Sequence, residues 1–388
     1  MRDVTTLSQT FVISTARTPI GRATKGSLVG ARPDDLAATA VRAVVERAGI
    51  PVNGIDDLQI GCGYPEGEQG YNLGRRVALL SGLPVSVPGS TVSRMCASSL
   101  QAVRAGFHAI ESGESHLNVA AGVESISRVG RTTLPEHRNP KLDGSAFADV
   151  YVPMGLTAEN VASQYGVGRE DMDALALLSH QRAVEARDTG FFDTEIVPVA
   201  GAGGSLVTVD DGPRADTSLE KLGSLGSAFT EGGPITAGNS CPLSDGAAAL
   251  VLASAAAVET YGLRPRARVL ATAVSGVAPE LMGVGPIEAI ERVLTATGLQ
   301  MSDIDVVELN EAFASQVIAV CRATGIDVDT QLNPHGGAIA LGHPFGMTGA
   351  RLVGALVSDL ESTDGALGIA TLCVGGGQGM ALLLERMP

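Results

Sequence analysis

The chain has 388 residues, a formal net charge of −15, 45% hydrophobic residues, 49 glycines, only 3% aromatic residues and no tryptophan. That apolar fraction excludes intrinsic disorder and is enough for a sizeable core. The acidity excludes broad attraction to nucleic acid or to an anionic membrane, so an anionic ligand would need a local basic or amide-lined site.

The first residues show no basic stretch leading into an apolar run. Nowhere does an apolar run reach about 18 residues, so neither a secretory leader nor a membrane span is expected. The five cysteines, Cys62, Cys96, Cys241, Cys321 and Cys373, are scattered and form no CxxC pair. They read as free thiols of a reducing, cytoplasmic compartment, with neither a disulfide framework nor a metal site.

In chain order, a strand is expected over residues 10–15, running into the turn Arg17-Thr18-Pro19-Ile20-Gly21. A helix follows over Pro33–Ala48, with Leu36, Ala37, Ala40, Val41 and Val44 near a 3.6-residue period. Asp34 and Asp35 sit in its first turn, and Gly49 ends it. A strand is read over 57–60. The segment Ser93-Arg94-Met95-Cys96-Ala97-Ser98-Ser99-Leu100 lies between Pro88-Gly89-Ser90-Thr91-Val92 and a helical pattern of Leu100, Val103, Phe107 and Ile110. Cys96 thus falls at or near a helix N-terminus, where exposed amides and the macrodipole favour a thiolate and can hold an oxyanion. Position alone leaves it readable as a small buried cysteine too.

Residues 123–244 read as an insertion. They hold Pro- and Gly-punctuated loops at 135–144 and 200–213, and one clear helix, Arg169–Asp188. Residues 246–257 return to a small, apolar, core-like pattern. A strand over 267–273 and a helix over 286–297, closed by Gly298, then repeat the opening order. Gly49, Ile50, Ile55 and Asp56 stand in register with Gly298, Leu299, Ile304 and Asp305 at a constant offset of 249, which points to a duplicated α/β unit.

Three later segments bear polar residues on strand ends or glycine-rich loops. Val306-Val307-Glu308-Leu309-Asn310-Glu311-Ala312-Phe313 delivers Asn310, able to orient a water or cap a helix. Gly336-Gly337-Ala338-Ile339-Ala340-Leu341-Gly342-His343-Pro344 carries a histidine and fits neither the Walker A nor the dinucleotide spacing. Thr371-Leu372-Cys373-Val374-Gly375-Gly376-Gly377 ends a strand and precedes another over 380–384, placing a second thiol beside amides that can approach a reacting atom.

Together, in this order, these segments resemble the thiolase family over essentially the whole chain. The resemblance implies an α/β fold of two similar βαβαβαββ halves in a five-layer αβαβα arrangement with an inserted loop domain. On this sequence the halves would be 1–122 with 245–266 and 267–388, with the loop domain at 123–244. It further implies that Cys96 is acylated, that His343 activates it, and that Cys373 moves protons. Asn310 would hold a water that completes one oxyanion hole with His343, and the amides of Cys96 and Gly375 would form the other. Coenzyme A would be co-substrate with acyl-CoA and no cofactor would be tightly bound. Arg214, Phe229, Ala237 and Cys241 would contact it, and Met154 and Met282 would line the acyl site. A homodimer or homotetramer is implied.

Ser93 and Ser99 stand where the family often has Asn and Gly, and Cys241 where Ser is common. Pro153 replaces a histidine frequent in the short-chain biosynthetic branch. That favours a 3-ketoacyl-CoA thiolase over an acetoacetyl-CoA thiolase. A ketoacyl synthase would place histidine where Cys373 stands, and a non-catalytic lipid-binding relative would have lost Cys96 or His343. A papain-like protease lacks its expected nucleophile motif here.

Overall fold

The computed structural model describes residues 8–129, 138–142, 149–201 and 204–388. Half of the expected loop at 135–144 lies outside them, and that at 200–213 loses two residues.

Nine strands longer than two residues build the main sheet system. They are β1 (Thr10–Arg17), β2 (Asp57–Gly61), β3 (Gly89–Val92), β4 (Leu117–Ser125), β5 (Ser244–Ser254), β6 (Ala267–Gly276), β7 (Val306–Leu309), β8 (Leu367–Val374) and β9 (Gln378–Arg386). The longer helices are α1 (Pro33–Ala48), α2 (Leu73–Leu80), α3 (Ser98–Glu111), α4 (Met154–Gln164), α5 (Arg169–Asp188), α6 (Gly285–Thr297), α7 (Ala314–Thr324) and α8 (Phe345–Thr363).

The strands run in the order β7-β8-β9-β6-β1-β5-β4-β2-β3, and the junction of β1 with β6 is a pairing of only two residues, Phe11 with Arg268 and Val12 with Ala267. On one side of it lie β1, β5, β4, β2 and β3, paired antiparallel, antiparallel, parallel and parallel. On the other side β6, β9, β8 and β7 repeat those senses, and Leu332 bridges β7 in the fifth place. The repeat extends to single atoms. Gly49 and Gly298 both end a helix in the left-handed region, at φ 64° and 72°. The Asp56 carboxylate accepts from the amides of His116 and Leu117, as that of Asp305 does from Ala366 and Leu367.

Alternate residues of each strand serve different cores. Val251 joins α1 and α2 on one outer face, whereas Leu250 and Leu252 face the central layer of α3 and α8. In the second half Leu383 joins α6 and α7 outside, while Leu382 and Leu384 face the centre. Five layers result: helices, sheet, α3 with α8, sheet, helices. Because the strands are covered on both faces, β5 is buried along its whole length, which explains its unbroken run of small apolar residues.

Two elements depart from expectation. Helix α4 lies in the insertion, where only Arg169–Asp188 was expected as a clear helix; Gly155 near its start and a weak apolar pattern hide it in the sequence. The glycine-rich loop before His343 contains one helical turn, Ala338–Leu341, held by the Glu311 carboxylate, which accepts from the Ile339 amide at 3.1 Å. The motif Arg17-Thr18-Pro19-Ile20-Gly21 anchors the insertion. Arg17, buried at the end of β1, donates to Glu195 at 2.8 Å and to both Asp210 oxygens at 2.8 and 3.0 Å.

Candidate active site

Cys96 sits between β3 and α3, two residues before the helix begins. Met95 takes φ +45°, a left-handed conformation that costs a non-glycine residue about 1–3 kcal/mol and recurs where function constrains the backbone. Ser98 holds the turn: its hydroxyl donates to the Met95 carbonyl at 2.6 Å and accepts from the Arg94 amide at 3.0 Å. Cys96 is half-buried. Burial pushes its thiol up to about 11, opposed by the Gly375 amide and by its own amide, both donating to the sulfur. The Gly375 amide, expected from the resemblance to be an oxyanion donor, thus points at the Cys96 sulfur from the end of β8.

Cys373 is buried on β8, and its thiol donates to Gln316 Oε1 at 3.7 Å. Burial raises its pKa well above the ordinary thiol value, and the nearby sulfurs of Cys96 and Cys241 raise it further. Three thiols therefore share one neighbourhood, within reach of one another's charge.

His343 is buried, and burial followed by Arg351 lowers its pKa to about 3. Its Nδ1 lies 2.6 Å from the Thr348 hydroxyl, which itself donates to the Pro344 carbonyl at 2.9 Å. The network therefore places the imidazole proton on Nδ1 and leaves Nε2 as acceptor, facing Asn310 Nδ2 at 3.4 Å. Asn310 is fully buried, its amide donates to the Thr371 carbonyl at 3.0 Å, and its Oδ1 has no hydrogen-bond partner among the described residues. Its side chain thus serves His343 and not a helix cap; its free oxygen can accept from a water.

A cavity of about 410 Å³ opens on Cys96 and is lined also by Met95, Met154, Pro153, Phe345 and Gly375. Phe345 meets His343 edge to face at 5.1 Å. A second cavity, of about 140 Å³, gathers Arg22, Arg214 and Lys221 with His180, Ala237 and Ser240. Asp216 also lines it and pairs with Lys221 at 2.7 Å, which leaves Arg22 and Arg214 as the excess of positive charge that an anionic ligand of so acidic a chain requires. Burial, then Arg214, then Arg22, lower His180 to about 4, so it is neutral at pH 7.

Of the residues expected to contact coenzyme A or acyl chain, Met154 lines the first cavity, and Arg214 and Ala237 the second. Cys241 borders neither, yet its neighbours Ser240 and Pro242 line the basic cavity while its sulfur bears on Cys373. Phe229 packs edge to face on Phe313 at 6.0 Å and lies over Gly155. Met282 is a core residue of the second half and lines neither cavity. Sequence reading missed Thr348, Gln316, Arg22, His180 and Lys221. For Thr348 a signal existed: it lies five residues beyond His343, near the start of a helix.

Among the described residues no group of histidine, cysteine and carboxylate is placed to hold a metal, and no helix is long and apolar enough to cross a membrane.

Comparison with known proteins agrees with this geometry. The family model "Thiolase, N-terminal domain" matches residues 10–256, and "Thiolase, C-terminal domain" matches 263–386. A β-ketoadipyl-CoA thiolase of Pseudomonas aeruginosa is 47% identical over 98% of this chain and 99% of that protein. A 3-ketoacyl-CoA thiolase of Bacillus subtilis is 44% identical over 98% of this chain and the whole of that one. The crystal structure of human mitochondrial 3-ketoacyl-CoA thiolase in complex with CoA superposes with a TM-score of 0.89 at 35% identity, covering 97% of this chain and 98% of that one. Two domain models spanning nearly the full length and relatives of this identity and coverage place the chain in the thiolase family of acyltransferases.

Proposed function

We propose that this protein is a 3-ketoacyl-CoA thiolase that works through an acyl-Cys96 intermediate. The observation that carries the reading is the pairing of two thiols, Cys96 and Cys373, with the Gly375 amide directed at the Cys96 sulfur. His343 Nε2 takes the Cys96 proton, and the thiolate attacks the 3-keto carbon. The C2–C3 bond breaks, its electron pair leaves as the enolate of acetyl-CoA, and Cys373 gives that carbon a proton. The thiol of a second coenzyme A returns a proton to Cys373 and attacks acyl-Cys96. The shortened acyl-CoA departs, and His343 hands its proton back to Cys96. Asn310 and His343 would hold one developing oxyanion, and the Cys96 and Gly375 amides the other.

Coenzyme A fits as a co-substrate with its phosphates in the basic cavity of Arg22, Arg214 and Lys221. The segment Ser240–Pro242 leads from there toward the thiols. Room beside Cys96 favours acyl groups longer than acetyl, and Pro153 on the wall supports the degradative reading over the acetoacetyl-CoA one. The β-ketoadipyl group in the name of the Pseudomonas relative is one such acyl chain. For the division of labour we propose a nucleophile half (1–122 with 245–266), a coenzyme A-binding insertion (123–244) and a half bearing His343 and Cys373 (267–388). Self-association is part of the same reading: among the described residues β3 is an edge strand, and Tyr71 and Val85 are 94% and 81% exposed.

Incubation with acetyl-CoA followed by intact mass measurement tests the reading. An acetyl adduct is expected in the wild type and absent in Cys96→Ser. An adduct that persists in that variant, or maps to Cys241, overturns it.

A further inference from the structure

Helix α7 brings a carboxamide against the second thiol. Gln316, fully buried near the start of α7, accepts at Oε1 from the Ala312 amide at 3.2 Å and from the Cys373 thiol at 3.7 Å. A backbone N–H only donates, so the Ala312 amide fixes the oxygen, and not Nε2, on the side of Cys373. This orientation is kept although it leaves Nε2 buried with no hydrogen-bond partner among the described residues. Ala312 is itself held, since its carbonyl accepts from the Cys241 amide at 3.1 Å. Behind the side chain there is little slack: a Cβ on Gly283 would stand 2.6 Å from Gln316 Cβ.

An oxygen acceptor at this point treats the two forms of Cys373 unequally. The thiol can donate to it, whereas a thiolate meets its lone pairs and loses the contact. No charge nearby reverses that preference. On α6, α7 and the turn Pro279–Val284, the charged side chains Glu280, Glu288, Glu291, Arg292 and Arg322 are at the surface. Glu308 pairs with Arg351 of α8 at 2.7 Å, and Glu311 accepts from Ser179, Asn333 and the Ile339 amide. Glu385 and Arg386 lie at the far end of β9, whose Gly379 faces Cys373. His343 is neutral at pH 7, and the thiols of Cys96 and Cys241 disfavour a second thiolate beside them.

We propose that Gln316 is a positioning residue for Cys373: its Oε1, fixed by the Ala312 amide, keeps the thiol protonated and holds its hydrogen between proton transfers. The proposal rests on the thiolase reading, in which Cys373 gives a proton to the enolate of acetyl-CoA and recovers one from the incoming coenzyme A thiol. Gln316 neither gains nor loses a proton. It acts only through Cys373, so acylation of Cys96 should not depend on it.

The test compares Gln316→Met, of similar length without an oxygen, with Gln316→Glu, which keeps an oxygen acceptor. Intact mass counts the Cys96 sites that take an acetyl group from acetyl-CoA, and thiolysis of 3-oxohexanoyl-CoA is expressed per such site between about pH 6 and pH 10. Gln316→Met should acetylate as the wild type does and lose about 10–100-fold in turnover per site. The loss should grow toward alkaline pH, because the thiol without its acceptor ionises about one pH unit lower, the worth of one ordinary hydrogen bond. Gln316→Glu should recover most of the loss and decline no earlier than the wild type. Counting acetylated sites cancels any loss of folded protein. If Gln316→Met yields no folded protein, Gln316→Glu decides alone, and an alkaline decline earlier than the wild type's overturns the assignment. A Met variant with wild-type turnover, with a loss equal at every pH, or with acetylation slowed in proportion also overturns it, leaving the thiolase reading intact. A wild type that takes no acetyl group on Cys96 and cleaves no 3-ketoacyl-CoA overturns the thiolase reading, and this assignment falls with it.

Discussion

Burial acts on the two thiols and the imidazole in the same direction, toward the neutral form. Cys96 is raised to about 11 and His343 lowered to about 3, so in the free protein at pH 7 both are uncharged. In the mechanism proposed above, the thiolate then forms at the moment of attack, with the Gly375 and Cys96 amides in place to receive the charge. Cys373 is more deeply buried still, its hydrogen aimed at Gln316, which suits a group that delivers and recovers one proton per turnover. Cys373→Ala should therefore still take an acetyl group on Cys96 but lose about 10²–10⁴-fold in kcat, as removal of a general acid–base group does. Rapid quench with mass detection separates the two steps. Turnover equal to the wild type would exclude the proton-transfer role. Thr348 belongs to the same scale, since its hydroxyl fixes which nitrogen of His343 can accept.

The element that brings the two halves of the site together is the central helix pair. Helix α3 starts just after the nucleophile and α8 just after His343, so their close approach sets how these two residues face each other. Glycine permits that approach. A Cβ placed on Gly349 would stand 2.3 Å from the Leu100 backbone nitrogen. Ser99 is buried at this contact and adds a hydrogen bond across it, its hydroxyl accepting from the Ala350 amide at 2.8 Å. Gly349→Ala should destabilise by about 1–3 kcal/mol through overpacking. Denaturant unfolding measures this, and a midpoint unchanged from the wild type would show that the helices can separate freely.

At the scale of the molecule, the two halves share strand order, pairing sense and the paired Asp56 and Asp305 contacts, so the duplication is structural as well as sequential. They meet through two residue pairs of β1 and β6 and through the α3–α8 layer, which leaves Cys96, His343 and Cys373 near the seam between them. The same architecture exposes β3 at one edge. Light scattering should give a mass of at least about twice the 39.5 kDa chain, and Val85→Lys should lower it. A monomer at micromolar concentration would reject self-association.

The sequence by itself determined the locally encoded features. Pro33–Ala48 has its observed bounds because apolar period, first-turn acids and terminal glycine are properties of neighbours in the chain, and Arg169–Asp188 likewise has its expected bounds, with Glu170 and Asp171 in its first turn. The offset of 249 announced the duplication, and four short motifs marked Cys96, Asn310, His343 and Cys373 as a set. Helix α4 was not legible, because its glycine and irregular pattern carry no local signal and packing against α7 stabilises it instead. Tertiary structure alone decided that Met282 is core, that Arg22, Arg214 and Lys221 share one cavity, and that Met154 and Phe345 line the cavity over Cys96. These juxtapositions join segments dozens to hundreds of residues apart. Their geometry is set by how sheets and helices pack, which no periodicity within a segment encodes.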